Sequence, residues 1–178
     1  MFRELLRKAF GSRAKRGEER APSDPREAVI GLRRMALEVT RADAGIPATK
    51  GAWGVVMDTT NDEGNWFTIT AFADGTASLY LSTGGGRIGG GRYETVKLAA
   101  MTCVAQANEH LEELETSAIH APPALKHTRI YVKTDEGLLA SPEILEEDLG
   151  YNRHGLSRLF HCMHKLIAMI HASQEQTD

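Results

Sequence analysis

Three short β-strand patterns joined by tight turns, near the middle of the chain, constrain its fold more than any other feature. Residues 54–59 form a short apolar run, and residues 66–73 and 76–81 alternate apolar with polar side chains, as half-buried strands do. Asp74 and Gly75, between the second and third patterns, are a typical two-residue hairpin turn. Because a connection this short can only reverse the chain, the three patterns predict an antiparallel meander.

Helical patterns precede and follow this meander. Asp24 is a suitable cap in front of Pro25, and together they predict the start of a helix that ends near residues 43–45. Stripes of apolar residues at helical spacing predict two longer helices, over residues 93–116 and over residues 152–172. The chain is therefore expected to contain three main helices.

Two further strand patterns, at residues 129–133 and 138–140, predict a hairpin between the second and third helices. The sequence therefore predicts an α+β domain, with an antiparallel sheet of about five strands, a three-stranded meander plus a hairpin, flanked by three main helices. This order of elements resembles the profilin-like and roadblock-like layouts, in which helices flank a five-stranded antiparallel sheet. The resemblance is limited to element order and implies no function, because the chain carries no motif of either family.

The meander runs directly into a glycine-rich stretch, residues 82–93, which holds six of the 17 glycines of the chain. Gly84, Gly86 and Gly89 match the G-x-G-x-x-G spacing of dinucleotide-binding loops. That loop belongs to a parallel βαβ unit, with an acidic residue after a second strand about 20 positions further on. Here those positions fall inside the second predicted helix, so we predict no dinucleotide site.

Two interpretations of the glycine-rich stretch remain. In the first, the glycines let the backbone pass close to neighbouring elements with positive φ angles. In the second, exposed backbone N–H groups and two arginines hold a phosphate or another small anion at the start of the following helix. The ligand-binding residues would then be Gly84, Gly85, Gly86, Arg87, Gly89, Gly90, Gly91 and Arg92.

Four of the seven histidines lie in the third helix pattern. His161 and His164 are about one helical turn apart, so both side chains can reach one metal ion. A third ligand would have to come from another element, and two histidines at this spacing are more often boundary residues between core and solvent. We therefore predict no metal and no cofactor, with His161 and His164 as the metal candidates.

No combination of nucleophile and base in the sequence has the spacing of a known catalytic motif. A Gly-x-Ser-x-Gly nucleophile elbow is absent. Cys103 and Cys162, the only two cysteines, lie in apolar helical patterns rather than in the basic, exposed setting of a reactive thiol. We predict two reduced core cysteines, as in a cytoplasmic protein, and no catalytic residue.

The charge of the chain is unevenly distributed. Residues 1–21 hold seven Lys and Arg against three Glu, a net +4, so the total of −3 leaves −7 on residues 22–178. An acidic body disfavours non-specific binding of nucleic acid, because it repels phosphate. Residues 1–10 can form a basic amphipathic helix that is too short to be stable alone. It would either remain frayed or docked on its own chain, or contact an anionic membrane or a partner groove.

The predicted domain organisation follows from these patterns. Residues 1–23 would be a basic amphipathic segment and a flexible tether, residues 24–173 a single α+β domain, and residues 174–178 a disordered tail. The leading hypothesis for function is a non-catalytic protein-interaction or adaptor module that binds a protein partner or a second copy of itself. The alternative hypothesis is a ligand-binding or enzymatic domain that holds a phosphate or small anion through residues 84–92.

Overall fold

The computed structural model describes residues 24–48, 50–88 and 92–175. The predicted N-terminal segment, residues 1–23, lies outside the described residues, and so do Gly89, Gly90 and Gly91 of the glycine-rich stretch. The described residues form one antiparallel sheet with helices packed on both faces, which confirms the α+β class.

Within the described residues the sheet has eight strands, where the sequence predicted about five. In chain order they are β1 (Ala52–Thr60), β2 (Trp66–Phe72), β3 (Ala77–Leu81), β4 (Gly86–Arg87), β5 (Glu115–Thr116), β6 (His127–Thr134), β7 (Gly137–Ala140) and β8 (Ile144–Leu145). Their order across the sheet is β4-β3-β2-β1-β6-β7-β5, and β8 also pairs with β6. The predicted meander and hairpin are β1, β2, β3, β6 and β7. The other three have two residues each, too few for a hydrophobic period to show in the sequence.

Five helices connect and cover these strands in the described part of the chain. They are α1 (Pro25–Glu38), α2 (Arg41–Ala44), α3 (Glu94–Ala107), α4 (Glu146–Gly150) and α5 (Ser157–Glu175). The three long ones, α1, α3 and α5, correspond to the three predicted main helices, and α2 and α4 are single turns.

The sheet is buried on both faces because its central strands send apolar side chains to alternating sides. Ile69 of β2 packs in one cluster with Val96 of α3 and Met163 of α5. Phe72, three positions further along the chain, lies in the cluster of the opposite face with Leu32 of α1. The alternation predicted for the second and third strands is therefore confirmed, and α3 and α5 share one face while α1 covers the other.

The first predicted helix is divided into α1 and α2. The Nζ atom of Lys133 donates to the carbonyl oxygens of Ala36 and Leu37, which satisfies acceptors that the end of a helix leaves open. Thr40 then starts α2 by accepting a hydrogen bond from the backbone N–H of Asp43. The break thus comes from a side chain on β6 and from a second cap.

The second predicted helix ends earlier than residue 116. The α-helical geometry stops at Ala107, and a 3₁₀ turn over Asn108–Glu113 leads into β5. The side-chain oxygen of Asn108 accepts the backbone N–H of Ala52 at 2.8 Å, so this residue ties the end of α3 to the start of β1.

The last helix is displaced toward the C-terminus relative to its predicted range. It begins at Ser157. Asn152, where the predicted helix starts, has a φ angle of 57°, a left-handed conformation that a right-handed helix cannot contain. It continues to Glu175, three residues beyond the predicted end.

Candidate functional site

The described part of the glycine-rich stretch folds back along β3 and forms the edge strand β4. Gly84, Gly85 and Gly86 have φ angles of 96°, 88° and 131°, which side-chain-bearing residues rarely adopt. A Cβ atom on Gly86 would overlap the backbone carbonyl oxygen of Leu79. Among the described glycines, Gly86 therefore has the close backbone approach that the first interpretation predicts.

The backbone groups of this turn are partly used by the fold itself. The N–H of Gly84 donates to the carbonyl oxygen of Leu81 at 2.9 Å, and the carbonyl of Gly85 accepts the N–H of Leu81 at 3.3 Å. The guanidinium of Arg92 lies 4.8 Å from the centroid of the Tyr93 ring and donates to its hydroxyl. Anion binding by the full set of residues 84–92 stays a prediction.

His161 and His164 line a pocket of about 640 Å³ beside α4, together with Asp62, Lys126 and Glu146. His164 is half-buried, with its ring 4.3 Å from that of Phe160, and burial, followed by the neighbouring His161, lowers its pKa. Burial and the nearby Asp62 raise the pKa of Glu146. Across the described ranges, no group of three or more His, Cys, Asp or Glu side chains is arranged to hold a metal ion.

The most buried ion pair of the described residues joins α1 to β1 on the opposite face of the sheet. The Nε of Arg33 donates to a carboxylate oxygen of Asp58 at 2.9 Å, and the other carboxylate oxygen accepts the Thr68 hydroxyl at 2.5 Å. The same guanidinium donates to the carbonyl oxygen of His120 at 2.8 Å. Because both charges are compensated within the fold, this cluster holds α1 on the sheet.

A second feature of that face is Lys133, which lines a pocket of about 440 Å³ near the end of α1. Its Nζ lies 5.0 Å from the centroid of the Trp53 ring, in addition to its two bonds to α1 carbonyls. Burial lowers the pKa of Lys133 to about 7, against a smaller opposing effect of Glu38. Lys133 was not identified from the sequence, although a charged residue within a predicted strand indicates a side chain that needs a partner when it is buried.

The exposed positions in the middle of α3 carry no charge, and two of them are large and apolar. Its exposed positions between the helix ends are Thr95, Leu98, Met101, Thr102 and Ala105. Leu98 is 56% exposed and Met101 is 41% exposed, which is high for side chains of this size. We call these five residues, with Met169 of α5, the α3/α5 surface.

A groove of about 350 Å³ runs along this surface between the two helices. Leu98, Thr102 and Met169 line it together with Cys162 and Lys165. The stripe that predicted α3 identified its inner side, where Val96, Ala100 and Val104 are buried in the core. Leu98 lies about 200° around the helix from Val96, so a second apolar side was present in the sequence and was missed.

Cys103 of α3 and Cys162 of α5 face each other across the helix pair, with their Sγ atoms 2.8 Å apart and no disulfide between them. Cys103 is buried, as predicted, whereas Cys162 is half-buried and lines the groove beside Lys165. The hydrogen bond from Cys103, and then the charge of Lys165, lower the pKa of Cys162. The same hydrogen bond and burial raise the pKa of Cys103.

No family model, curated protein or solved structure matches this chain. Among the described helices, none is both long and apolar enough to cross a membrane.

Proposed function

We propose that this chain is a non-catalytic protein-interaction module that pairs with a second copy of itself through the α3/α5 surface. The observation that carries the proposal is the uncharged outer face of α3, with Leu98 and Met101 exposed at its centre. Contiguous apolar side chains exposed on a folded domain are typical of interaction sites. The proposal includes a cytoplasmic location, where cellular thiols keep cysteines reduced.

The composition of the α3/α5 surface favours a second copy over an unrelated partner. In a two-fold symmetric dimer, residues near the axis meet their own counterparts, so a charge there would face a like charge. On α3 itself the exposed positions from Thr95 to Ala105 carry no charge, so a two-fold axis through this helix, rather than through Lys165 in the groove, brings no like charges together. The small side chains of Thr102 and Ala105 also allow the axes of two helices to approach closely.

Light scattering of the full chain over a wide range of concentrations tests the proposal. We expect a dimer for the wild type and a monomer for Leu98→Glu at the same concentrations. Each dimer would lose two buried leucines and gain two facing carboxylates, which weakens association by about 3 kcal/mol, or more than a hundredfold in Kd.

Ile30→Glu is the matched control, because Ile30 is 51% exposed on α1, on the other face of the sheet. We expect this variant to remain a dimer. Circular dichroism must show the same helix content for both variants, so that loss of pairing is separated from loss of folding. A wild type that stays monomeric at all concentrations, or a Leu98→Glu variant that pairs normally, would contradict the proposal.

Anion binding at residues 84–92 is the alternative function. It is supported by Arg92, an exposed cation two residues before the first residue of α3. Thermal denaturation with inorganic phosphate tests this alternative. Phosphate at a hundred times its Kd should stabilise the fold by about 2.7 kcal/mol, and Arg92→Met should remove that effect. No stabilisation at any phosphate concentration would exclude phosphate as the ligand.

A further inference from the structure

The two cysteines of the chain are brought together by the packing of α3 against α5. They are 59 residues apart in sequence, yet their Sγ atoms are 2.8 Å apart. A covalent disulfide requires about 2.05 Å between the sulfurs, so an approach of less than one ångström would join them. The antiparallel helix pair thus holds the two thiols in position for a bond without a large rearrangement of the backbone.

The two thiols differ in access and in chemical environment. Cys162 lines the groove of the α3/α5 surface, where small molecules from solvent can reach it, and Lys165 lies one turn further along α5. Cys103 is buried behind it. A reactive thiol needs partial exposure and a nearby positive charge, and a resolving thiol needs to be adjacent to it.

We propose that Cys162 and Cys103 form a reversible redox pair, in which Cys162 reacts with a hydroperoxide and Cys103 closes an intramolecular disulfide. The disulfide forms within one chain and needs no second copy. Because pairing through the α3/α5 surface would cover Cys162, the reaction with peroxide is expected of the unpaired chain. It makes α3 and α5 a site of oxidative modification directly beneath the α3/α5 surface.

The reaction proceeds in two steps. The thiolate sulfur of Cys162 first attacks the hydroperoxide; the O–O bond breaks, a sulfenic acid forms, and the departing alkoxide or hydroxide takes a proton from water. Cys103 then loses its thiol proton, and its sulfur attacks the sulfur of Cys162. The S–S bond forms, the S–O bond breaks, and the hydroxide leaves with that proton as water. The peroxide gains two electrons, the two thiols lose two, and an external dithiol can reduce the bond again.

The first experiment uses the wild-type full chain, hydrogen peroxide as the oxidant, and alkylation of the remaining thiols under denaturing conditions. We expect two alkylated cysteines before oxidation and none after it, with a loss of ~2 Da in the unalkylated monomer. A linked Cys103–Cys162 peptide pair should appear in a non-reduced digest. Treatment with a dithiol should restore both alkylation sites.

Two single variants separate the roles of the thiols. In Cys103→Ser, Cys162 should still react and should stop at the sulfenic acid, which dimedone captures. In Cys162→Ser, the buried Cys103 should lose its thiol at least tenfold more slowly. A third variant, Lys165→Met, should move the pH midpoint of Cys162 alkylation upward, which a merely structural lysine would not do.

Three results would overturn the proposal. The first is a wild type that keeps both thiols at every hydrogen peroxide concentration used. The second is a disulfide found only between chains, seen as a covalent dimer on a non-reducing gel. The third is equal peroxide reactivity of the two single variants. The wild-type measurement needs no substitution, so its result does not depend on whether the variants fold.

Discussion

Lys133 shows most directly how a single residue shapes the described part of this fold. Its side chain is only 4% exposed, and its Nζ bonds to two carbonyl oxygens at the end of α1, those of Ala36 and Leu37. Burial lowers its pKa to about 7. A neutral amine keeps two N–H donors, one for each carbonyl, so the cap on α1 survives when the proton is lost. The protonation of Lys133 therefore changes the stability of the fold rather than the position where α1 ends.

This coupling gives a pH-dependent prediction for the free energy of unfolding. Between pH 7 and about 10.4, the unfolded chain holds a proton on this lysine that the folded chain has lost. The unfolded state then binds more protons, so stability of the wild type should rise with pH across that window. Relative to Lys133→Met, whose side chain cannot titrate, the gain should be on the order of 4 kcal/mol.

Urea denaturation of the wild type and Lys133→Met at a series of pH values measures the difference. Other lysines titrate in both proteins and cancel in the comparison. Below pH 7 the difference should be constant, because Lys133 is then protonated in both states. A difference that stays constant up to pH 10 would show instead that the ammonium keeps its ordinary pKa beside Trp53 and the two carbonyls.

Among the secondary-structure elements, the β3–β4 turn depends on its glycines for two different reasons. Gly85 has a positive φ angle of 88° but open space where a Cβ would lie. Gly86 combines a positive φ of 131° with a Cβ position that overlaps the carbonyl oxygen of Leu79. The first glycine meets a conformational need alone, and the second also allows two strands to pair.

We predict that Gly86→Ala destabilises the fold by about 2 kcal/mol or more, because it adds a steric overlap to a strained backbone. Gly85→Ala carries only the strain and should destabilise by about 1 kcal/mol. Gly31→Ala, in the exposed middle of α1 with open space around it, should stabilise by up to about 1 kcal/mol. Chemical denaturation of the three variants measures these values, and an equal loss for Gly85 and Gly86 would contradict the close-approach role.

Some elements of this chain are specified by neighbouring residues and could be predicted, whereas others depend on residues far away in the sequence and could not. The meander was predictable because its signals are local: period-two alternation in β2 and β3, and the Asp74–Gly75 turn between them. The interruption of the first helix was not, because Lys133 reaches Ala36 from 97 positions away. Likewise β4, β5 and β8 are strands only because longer strands pair with them.

The candidate sites divide in the same way. Leu98 and Met101 were visible in the sequence as apolar residues away from the inner stripe of α3. The thiol pair was not, because nothing near Cys103 or Cys162 indicates that their helices are antiparallel neighbours in contact. The G-x-G-x-x-G spacing at Gly84 follows β3, whose partners β2 and β4 are both antiparallel, an arrangement that differs from the parallel βαβ unit of dinucleotide-binding loops.

For the molecule as a whole, the N-terminal segment and the rest of the chain carry opposite net charges. Residues 1–21 carry a net +4, whereas residues 22–178 carry −7. A basic segment near an anionic lipid surface gains about 1 kcal/mol for each Lys or Arg, and the acidic remainder is repelled by the same surface. Binding to such a membrane would therefore depend on the N-terminal residues.

We predict that the full chain binds vesicles of mixed neutral and anionic lipid and that a form lacking residues 1–20 does not. Sedimentation of the vesicles measures the bound fraction. The net +4 corresponds to about 4 kcal/mol, or nearly a thousandfold in affinity, and raised salt should weaken the binding because exposed charges are screened. Vesicles of neutral lipid alone are the control and should bind both forms weakly.

The same two forms separate the possible partners of the N-terminal segment. Suppose that the full chain does not bind anionic vesicles, but that light scattering shows a dimer for the full chain and a monomer for the truncated form. The segment then contacts a second copy of the protein rather than a lipid surface. If the two forms have the same oligomeric state and neither binds vesicles, the predicted role of residues 1–23 is wrong. Leu98→Glu in the full chain is the third form to be measured. If this variant no longer pairs but binds vesicles as the wild type does, self-association belongs to the α3/α5 surface and membrane contact to the N-terminal segment.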